Sequence, residues 1–251
     1  MHWNPDQTIE ILKEYVYSKD KLDEYRNRVA LSNIELPSFY VRENPEQSFS
    51  SIVVRLINCK ELKKFYNQPE DAWIFESIDE IITNALQESD KLVGFKRHQD
   101  IYLALYSDEG QLDYLIDMIS YINTTIKIIN YSLYEKYNAA KEIKIAIGAA
   151  NDPSIEMIEE LEEEFLVPFD QTNKTDCVLV AENYAAEVVM FNNLAFCTDA
   201  WVFKNISFEK QEQIRKNARQ YFSIKMPRQK LFSDLIDLEI KEKIEKGTLT
   251  F

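Results

Sequence analysis

Glycine is scarce: 4 in 251 residues. No G-x-G-x-x-G or G-x-x-x-x-G-K-[ST] stretch occurs, which excludes a dinucleotide-binding turn and a P-loop. Cysteine is also sparse. Cys59, Cys177 and Cys197 lie far apart with no paired spacing, which argues against a disulfide framework or a zinc ribbon. Three small core thiols in a reducing, cytoplasmic compartment are expected instead. His2 and His98 are the two histidines. No apolar run reaches the roughly 18 residues that mark a membrane span. The start, MHWNPDQTIEI, has neither a basic nor an apolar segment, so no secretory signal is expected. Positive charge is in the minority, 29 basic against 43 acidic residues for a net charge of -14. Such a field repels phosphate polymers and anionic bilayers, so neither nucleic acid nor membrane is an expected partner. A local basic pocket for a nucleotide is compatible with it.

What is present is a large apolar fraction, 45%, with 12% aromatics, enough for a sizeable core. The organising stretch runs from Ser51 to Tyr106. Ile52–Ile57 is rich in β-branched residues and predicts a buried strand. A helix over about 70–87 follows, with Trp73, Ile74, Ile78, Ile81, Ile82 and Leu86 on one apolar face. KLVGFKRHQDIYLALY then predicts two strands around the tip Arg97-His98-Gln99-Asp100. A long helix is expected over 108–137. A strand is expected over 142–148, stopping at Gly148. A helix begins at Asp152-Pro153-Ser154 and carries the acidic run Glu159, Glu160, Glu162, Glu163 and Glu164, read as a solvated face. Further on, 176–180 predicts a strand, 183–193 a helix and 194–203 one or two strands. Past Phe208 two helices are expected, separated by Lys225-Met226-Pro227-Arg228. Two short helices over 5–31 and a Pro- and Ser-punctuated loop precede the whole. This order predicts an α/β sandwich on one mixed sheet.

Over roughly 50 to 205 these elements and motifs resemble the class III nucleotidyl cyclases, including the cyclic-pyrimidine-making cyclases of bacterial phage defence. The resemblance implies a ferredoxin-like βαββαβ core at 49–206, with helical extensions at 1–48 and 207–251. Family members carry a metal-binding Asp in the first strand, where this chain has Arg55. Their second metal Asp sits at the hairpin tip after a glycine. Here Gln99-Asp100 keeps the Asp and loses the glycine. The family's D-x-x-G-x-x-V-N-x-A-x-R is matched by residues 176–187, which keep Asn183 for the ribose but place Glu187 where the transition-state arginine belongs. Lys96 and Asp176 occupy the two purine-recognition positions.

The resemblance therefore implies a catalytic set of Asp100, Arg55 and Glu187, with Asp100 as metal ligand. Nucleotide recognition falls to Lys96, Asp176 and Asn183. Cyclisation in the family uses two Mg²⁺ or Mn²⁺ ions to acidify the 3′-hydroxyl and bridge the phosphate. An arginine at 55 removes one hard oxygen ligand and adds a cation, although a guanidinium can clamp a triphosphate. A glutamate at 187 removes charge stabilisation of a kind worth about 3–4 kcal/mol. The expected protein is a nucleotide-binding or regulatory subunit with little cyclase activity. It would bind a nucleoside triphosphate, with a purine tilt, and would work as a homodimer or beside an active cyclase. Two alternatives stay open. One is an active divergent cyclase making a cyclic nucleotide messenger, with Glu61 aiding Asp100 and Arg97 or Arg219 replacing the arginine. The other is a non-enzymatic interaction protein, in which Asp100 is an ordinary hairpin residue, Asn183 a helix cap and Lys96–Asp176 a surface ion pair. His98 is a minor candidate ligand or base.

Overall fold

The computed structural model describes residues 48–107, 112–137, 140–152, 177–189, 194–217, 220–222 and 230–249. Both N-terminal helices, the acidic segment past Asp152, Asp176 and Arg219 lie outside the described residues. The elements run β1 (Phe49–Leu56), α1 (Cys59–Phe65), a 3-10 turn (Pro69–Asp71), α2 (Ala72–Gln87), β2 (Leu92–His98), β3 (Ile101–Ser107), α3 (Leu112–Lys136), β4 (Ile145–Asp152), α4 (Cys177–Val188), β5 (Phe196–Asp199), α5 (Ala200–Asn205), α6 (Phe208–Asn217), β6 (Gln220–Phe222), β7 (Lys230–Ser233) and α7 (Leu238–Glu245).

The strands form one seven-stranded sheet in the order β2-β3-β1-β4-β5-β7-β6. β4 and β5 are parallel, and the other neighbours are antiparallel. The first four strands, with α2 and α3 as crossovers, are the expected βαββαβ unit, β2 and β3 being its hairpin. The α/β sandwich on a mixed sheet stands as predicted.

Side chains alternate across β1 and so divide the core. Ile52, Val54 and Leu56 join Ile74, Ile78 and Ile82 of α2 and Ile116, Ile119 and Ile126 of α3 in one cluster. Phe49 and Val53 join Ala181, Tyr184, Ala185 and Val188 of α4 in a second. Fully burying one such aliphatic side chain stabilises by about 1.5–3 kcal/mol. The helix read over 70–87 starts with Pro69, and the Gln68 backbone N–H donates to Asp71 Oδ2 (3.3 Å), closing a capping box. In α3, Asn130 makes a two-way clamp on Ile143: its Nδ2 donates to the Ile143 carbonyl (2.9 Å) and its Oδ1 accepts from the Ile143 N–H (2.7 Å).

Four local expectations are corrected. Cys177–Val180 is the first turn of α4 and not a strand. Asn183 therefore lies mid-helix and is no cap. The strand at Gly148 does not stop there but continues to Asp152. The two corrections share one cause. A Cβ at Gly148 would stand 1.9 Å from the Ala181 carbonyl oxygen and 2.6 Å from the Ala185 nitrogen, so α4 lies with its backbone on β4. Thirdly, 194–203 is β5 followed by α5, because the buried Asp199 carboxylate accepts the Val202 N–H (3.0 Å) and starts a helix. Lastly, a hairpin, β6–β7, stands between the two helices expected past Phe208, and β7 pairs with β5. The segment from 207 on thus supplies strands to the same sheet.

Candidate active site

Arg55 occupies the penultimate position of β1, with Ile101 and Ala146 as its cross-strand partners. It shares the face of Ser51 and Val53, the face on which α4 packs. Asp100 is the second residue of the two-residue turn after β2, and its carbonyl accepts the Leu56 N–H (2.9 Å). The two expected metal positions are therefore neighbours at one end of the sheet. Both side chains are half-buried.

The turn itself is constrained. Gln99 sits at φ 55°, in the left-handed region where glycine costs nothing. This is the position at which the motif loses its glycine. The hairpin keeps its shape and Gln99 bears the backbone strain.

Two more basic groups share this end. Register pairs Lys96 with Leu103 and His98 with Ile101, so both side chains lie on the face of Arg55. Both are exposed. Half-buried Val93, Ile101 and Leu103 floor the space between them and Val180 of α4. On the adjoining edge stand Lys60 in α1 and Lys144, both exposed. Asn58 ties this edge together: its Nδ2 donates to the Glu142 carbonyl (2.8 Å) and its Oδ1 accepts the Lys144 N–H (3.0 Å). None of Arg55, Lys60, Lys96 and Lys144 has a carboxylate within ion-pair distance among the described residues, a property shared with Lys63, Lys64, Lys136, Lys141, Lys216 and Lys241, whereas Arg97, Lys127, Lys210, Arg215, Lys230, Lys243 and Lys246 are paired. Sequence reasoning singled out Arg55 and Lys96 but missed Lys60 and Lys144, which are brought in by the Asn58 clamp across a long separation.

Arg97 does not belong to this group. It points to the opposite face, where Nη1 meets Asp79 Oδ2 of α2 at 2.7 Å. Its guanidinium also lies 5.6 Å from the centre of the Tyr102 ring. The Tyr102 hydroxyl donates to Asp79 Oδ1 (2.5 Å). Burial pushes the Asp79 carboxyl above its ordinary value, with the Tyr102 hydrogen bond and the Arg97 charge opposing it. Burial likewise pushes the Tyr102 phenol up. Arg97 is thus committed to α2 and does not replace the missing arginine.

Asn183 is exposed on α4. Glu187, one turn on, pairs with Lys230 of β7. The Lys230 ammonium lies 5.4 Å from the centre of the Tyr184 ring, and the Tyr184 hydroxyl donates to Asp199 (3.2 Å). Burial, with Glu187 next in effect, raises the Cys197 thiol beside them. This second group is not at the Arg55 end. Ser51 Oγ donates to the Cys177 carbonyl (2.7 Å), which fixes the start of α4 over β1. The register Ser51–Ala150, Gly148–Cys197 and Asp199–Lys230 puts Lys230 level with Ser51. Lys230, the partner of Glu187, is then roughly 13 Å along and roughly 14 Å across the sheet from Arg55. The structure places Arg55, Lys96, His98 and Asp100 at one end of the sheet and pairs Glu187 with Lys230 away from that end.

The donor set at the Arg55 end does not fit a pair of Mg²⁺ ions. Asp100 is a single half-buried carboxylate, the neighbouring strand position holds Arg55 in place of a second one, and Glu61 is exposed in the first turn of α1. Among the described residues no three His, Cys, Asp or Glu side chains are grouped to hold a metal. Hard octahedral cations require several oxygens in tight geometry. What the arrangement can do is attract a polyanion and clamp phosphate oxygens.

No protein-family description matches the sequence, and no curated protein is similar to it. Among solved structures the chain is similar to a bacterial light-regulated adenylyl cyclase, with a TM-score of 0.48 and 14% identity over 81% of this chain and 98% of that one. It is also similar to an adenylate cyclase of Trypanosoma brucei in its monomeric state, at TM-score 0.46 and 9% identity over 76% of this chain and 91% of that one. A third similar structure is the adenylyl cyclase CyaB of P. aeruginosa, at TM-score 0.46 and 10% identity over 74% and 93%. No helix among the described residues is long and apolar enough to cross a membrane.

Proposed function

We propose that this chain is a class III cyclase-like subunit that binds a nucleoside triphosphate and has little cyclase turnover of its own. The observation that carries the reading is the placement of Arg55, Lys96 and Lys144, none with a described carboxylate partner, around the open end of β1 beside the Asp100 turn. A net charge of -14 makes that local excess of positive charge specific for a small anion over a phosphate polymer. Arg55 and Lys96 bind phosphate oxygens, Lys60 and Lys144 raise the local anion concentration, and Asp100 orients the ligand. His98 supplies a further donor at the rim.

The separation between Arg55 and Lys230, the partner of Glu187, supports a shared site. Two copies set head to tail would place the Asn183 flank of one against the Arg55 end of the other. An active cyclase as the second chain satisfies the same geometry and supplies the carboxylate and arginine missing here. A role in cyclic-nucleotide signalling, including the antiviral defence to which the resemblance points, follows from such pairing. Lys96 tilts the base preference toward a purine. The deciding experiment is a calorimetric screen of nucleoside triphosphates with and without Mn²⁺, followed by product analysis. Binding without a cyclic product supports the reading. A cyclic product from the isolated chain contradicts it, and absence of all binding leaves the interaction-protein alternative.

A further inference from the structure

Beside the Arg55 end lies a second basic surface, and this one is also aromatic. Lys60, Lys63 and Lys64 stand three and four positions apart on the outer face of α1, all exposed, with Leu62 turned inward. Lys136 ends α3 and Lys141 follows it toward β4, both exposed and both without a described carboxylate partner. Tyr66 joins the two parts. Its ring lies 5.5 Å from that of Tyr137, and its hydroxyl donates to the Lys141 carbonyl (3.0 Å). Phe65 packs edge-on against Tyr66 at 4.8 Å and is 42% exposed, and Tyr134, in the last turn of α3, is 56% exposed. The carboxylates here are fewer: Glu61, Glu135 and Glu142, the last taken by Lys127. Such a surface fits a partner that is acidic and apolar at once. The sequence holds one stretch of that kind, 155–165 (IEMIEELEEEF), in which glutamates alternate with Ile, Met, Leu and Phe. No role in the site described above falls to it.

Topology sets this stretch far from the lysines of its own copy. β4 runs from Ile145, opposite Leu56, to Asp152, opposite Phe49, so the chain leaves the sheet roughly 23 Å from the end that carries Lys144. It returns at Cys177, whose carbonyl accepts from Ser51 near the same far end. The helix that the sequence predicts from Asp152 rises about 1.5 Å per residue, so Glu164 stands about 18 Å on, short of that separation. In a second copy set head to tail the constraint disappears. There the stretch leads directly into α4, the element that carries Asn183. We propose that the acidic stretch 155–165 of one copy seats on the lysine and aromatic surface of α1 and the end of α3 in a second copy. Each copy gives its stretch and receives its partner's, as a two-fold pairing requires. The proposal rests on the pairing of copies put forward above and names its contact, and it needs no bound nucleotide.

The test is sedimentation velocity of the full chain. The wild type is expected to dimerise, and more weakly as salt is raised. Two chains carry reversed charge: one has Lys63→Glu with Lys64→Glu, the other Glu159→Lys with Glu163→Lys. Each alone sets like charge against like at both contacts and is expected to lose at least about tenfold in dimer affinity. Mixed one to one, the two are complementary at both contacts. The acidic stretch of the first meets the intact lysines of the second, and the lysine-bearing stretch of the second meets the new glutamates of the first. Dimer recovered in the mixture, with neither chain dimeric alone, is the expected result, and general loss of stability would not produce it. A monomeric wild type, a dimer indifferent to either reversal, or no recovery on mixing overturns the proposal. ATP affinity is read by calorimetry on the same samples. A monomeric wild type that binds ATP overturns this contact and leaves the nucleotide reading standing, whereas a dimer that binds no ATP does the reverse.

Discussion

Gln99, Asp79 and Arg55 each carry a physical conflict that a single substitution resolves. Gln99 holds a left-handed backbone at φ 55°, and a non-glycine residue pays about 1–2 kcal/mol there. Gln99→Gly removes that strain at some cost in unfolded-chain entropy. A net stabilisation of about 1 kcal/mol is expected, visible as a raised urea midpoint with unchanged slope. Asp79 is a buried carboxylate whose folded-state pKa lies above its ordinary 3.8. The folded state therefore holds its proton more tightly than the unfolded chain does. That contribution is fully present below pH 3.8 and fades as pH rises through the folded value. Asp79→Asn removes the term, and urea titrations from pH 3.8 upward are expected to show a flatter fall of stability in the variant. Arg55 stands where a second carboxylate would complete a hard-cation site with Asp100. Arg55→Asp is expected to bind Mn²⁺ in calorimetry, and the wild type is not.

At the scale of elements, the packing of α4 on β4 decides most. Gly148→Ala would drive a Cβ into the Ala181 carbonyl, a backbone atom that cannot rotate aside. A loss of about 3 kcal/mol or more is expected by chemical denaturation, as for severe overpacking. The same contact explains what was and was not legible in the sequence. β1, α2, the β2–β3 hairpin and α3 were readable because each carries its own periodicity: β-branched residues in β1, a wide apolar stripe in α2, and apolar residues every three or four positions in α3. Cys177–Val180 was read as a strand because CVLV has no helical partner residues of its own. Its helicity comes from Ala181 and Ala185 lying on Gly148, a tertiary contact between residues far apart in sequence. The β6–β7 hairpin was missed for a similar reason. β6 is three residues long and gains its place from pairing to β7, which itself pairs to β5. Motif spacing singles out Arg55, Lys96 and Asp100, and the register places all three toward one end of the sheet. The alternation that sends Arg97 to α2 became evident from the register and the Asp79 contact.

For the whole molecule, charge and topology point the same way. A chain with a net charge of -14 places Arg55, Lys96 and Lys144 around the end of β1 and pairs Glu187 with Lys230 elsewhere on the sheet. The proposed shared site calls for a second chain. Sedimentation velocity is expected to show a homodimer, or a heterodimer once an active cyclase is added. A monomer indifferent to both would remove the shared-site reading. The most direct measurement is product analysis of the isolated chain incubated with each nucleoside triphosphate and Mn²⁺, run beside a calorimetric binding curve. The expected result is saturable, Lys96-dependent binding of a triphosphate that is recovered uncyclised. Steady accumulation of a cyclic nucleotide, abolished by Asp100→Ala, would contradict it.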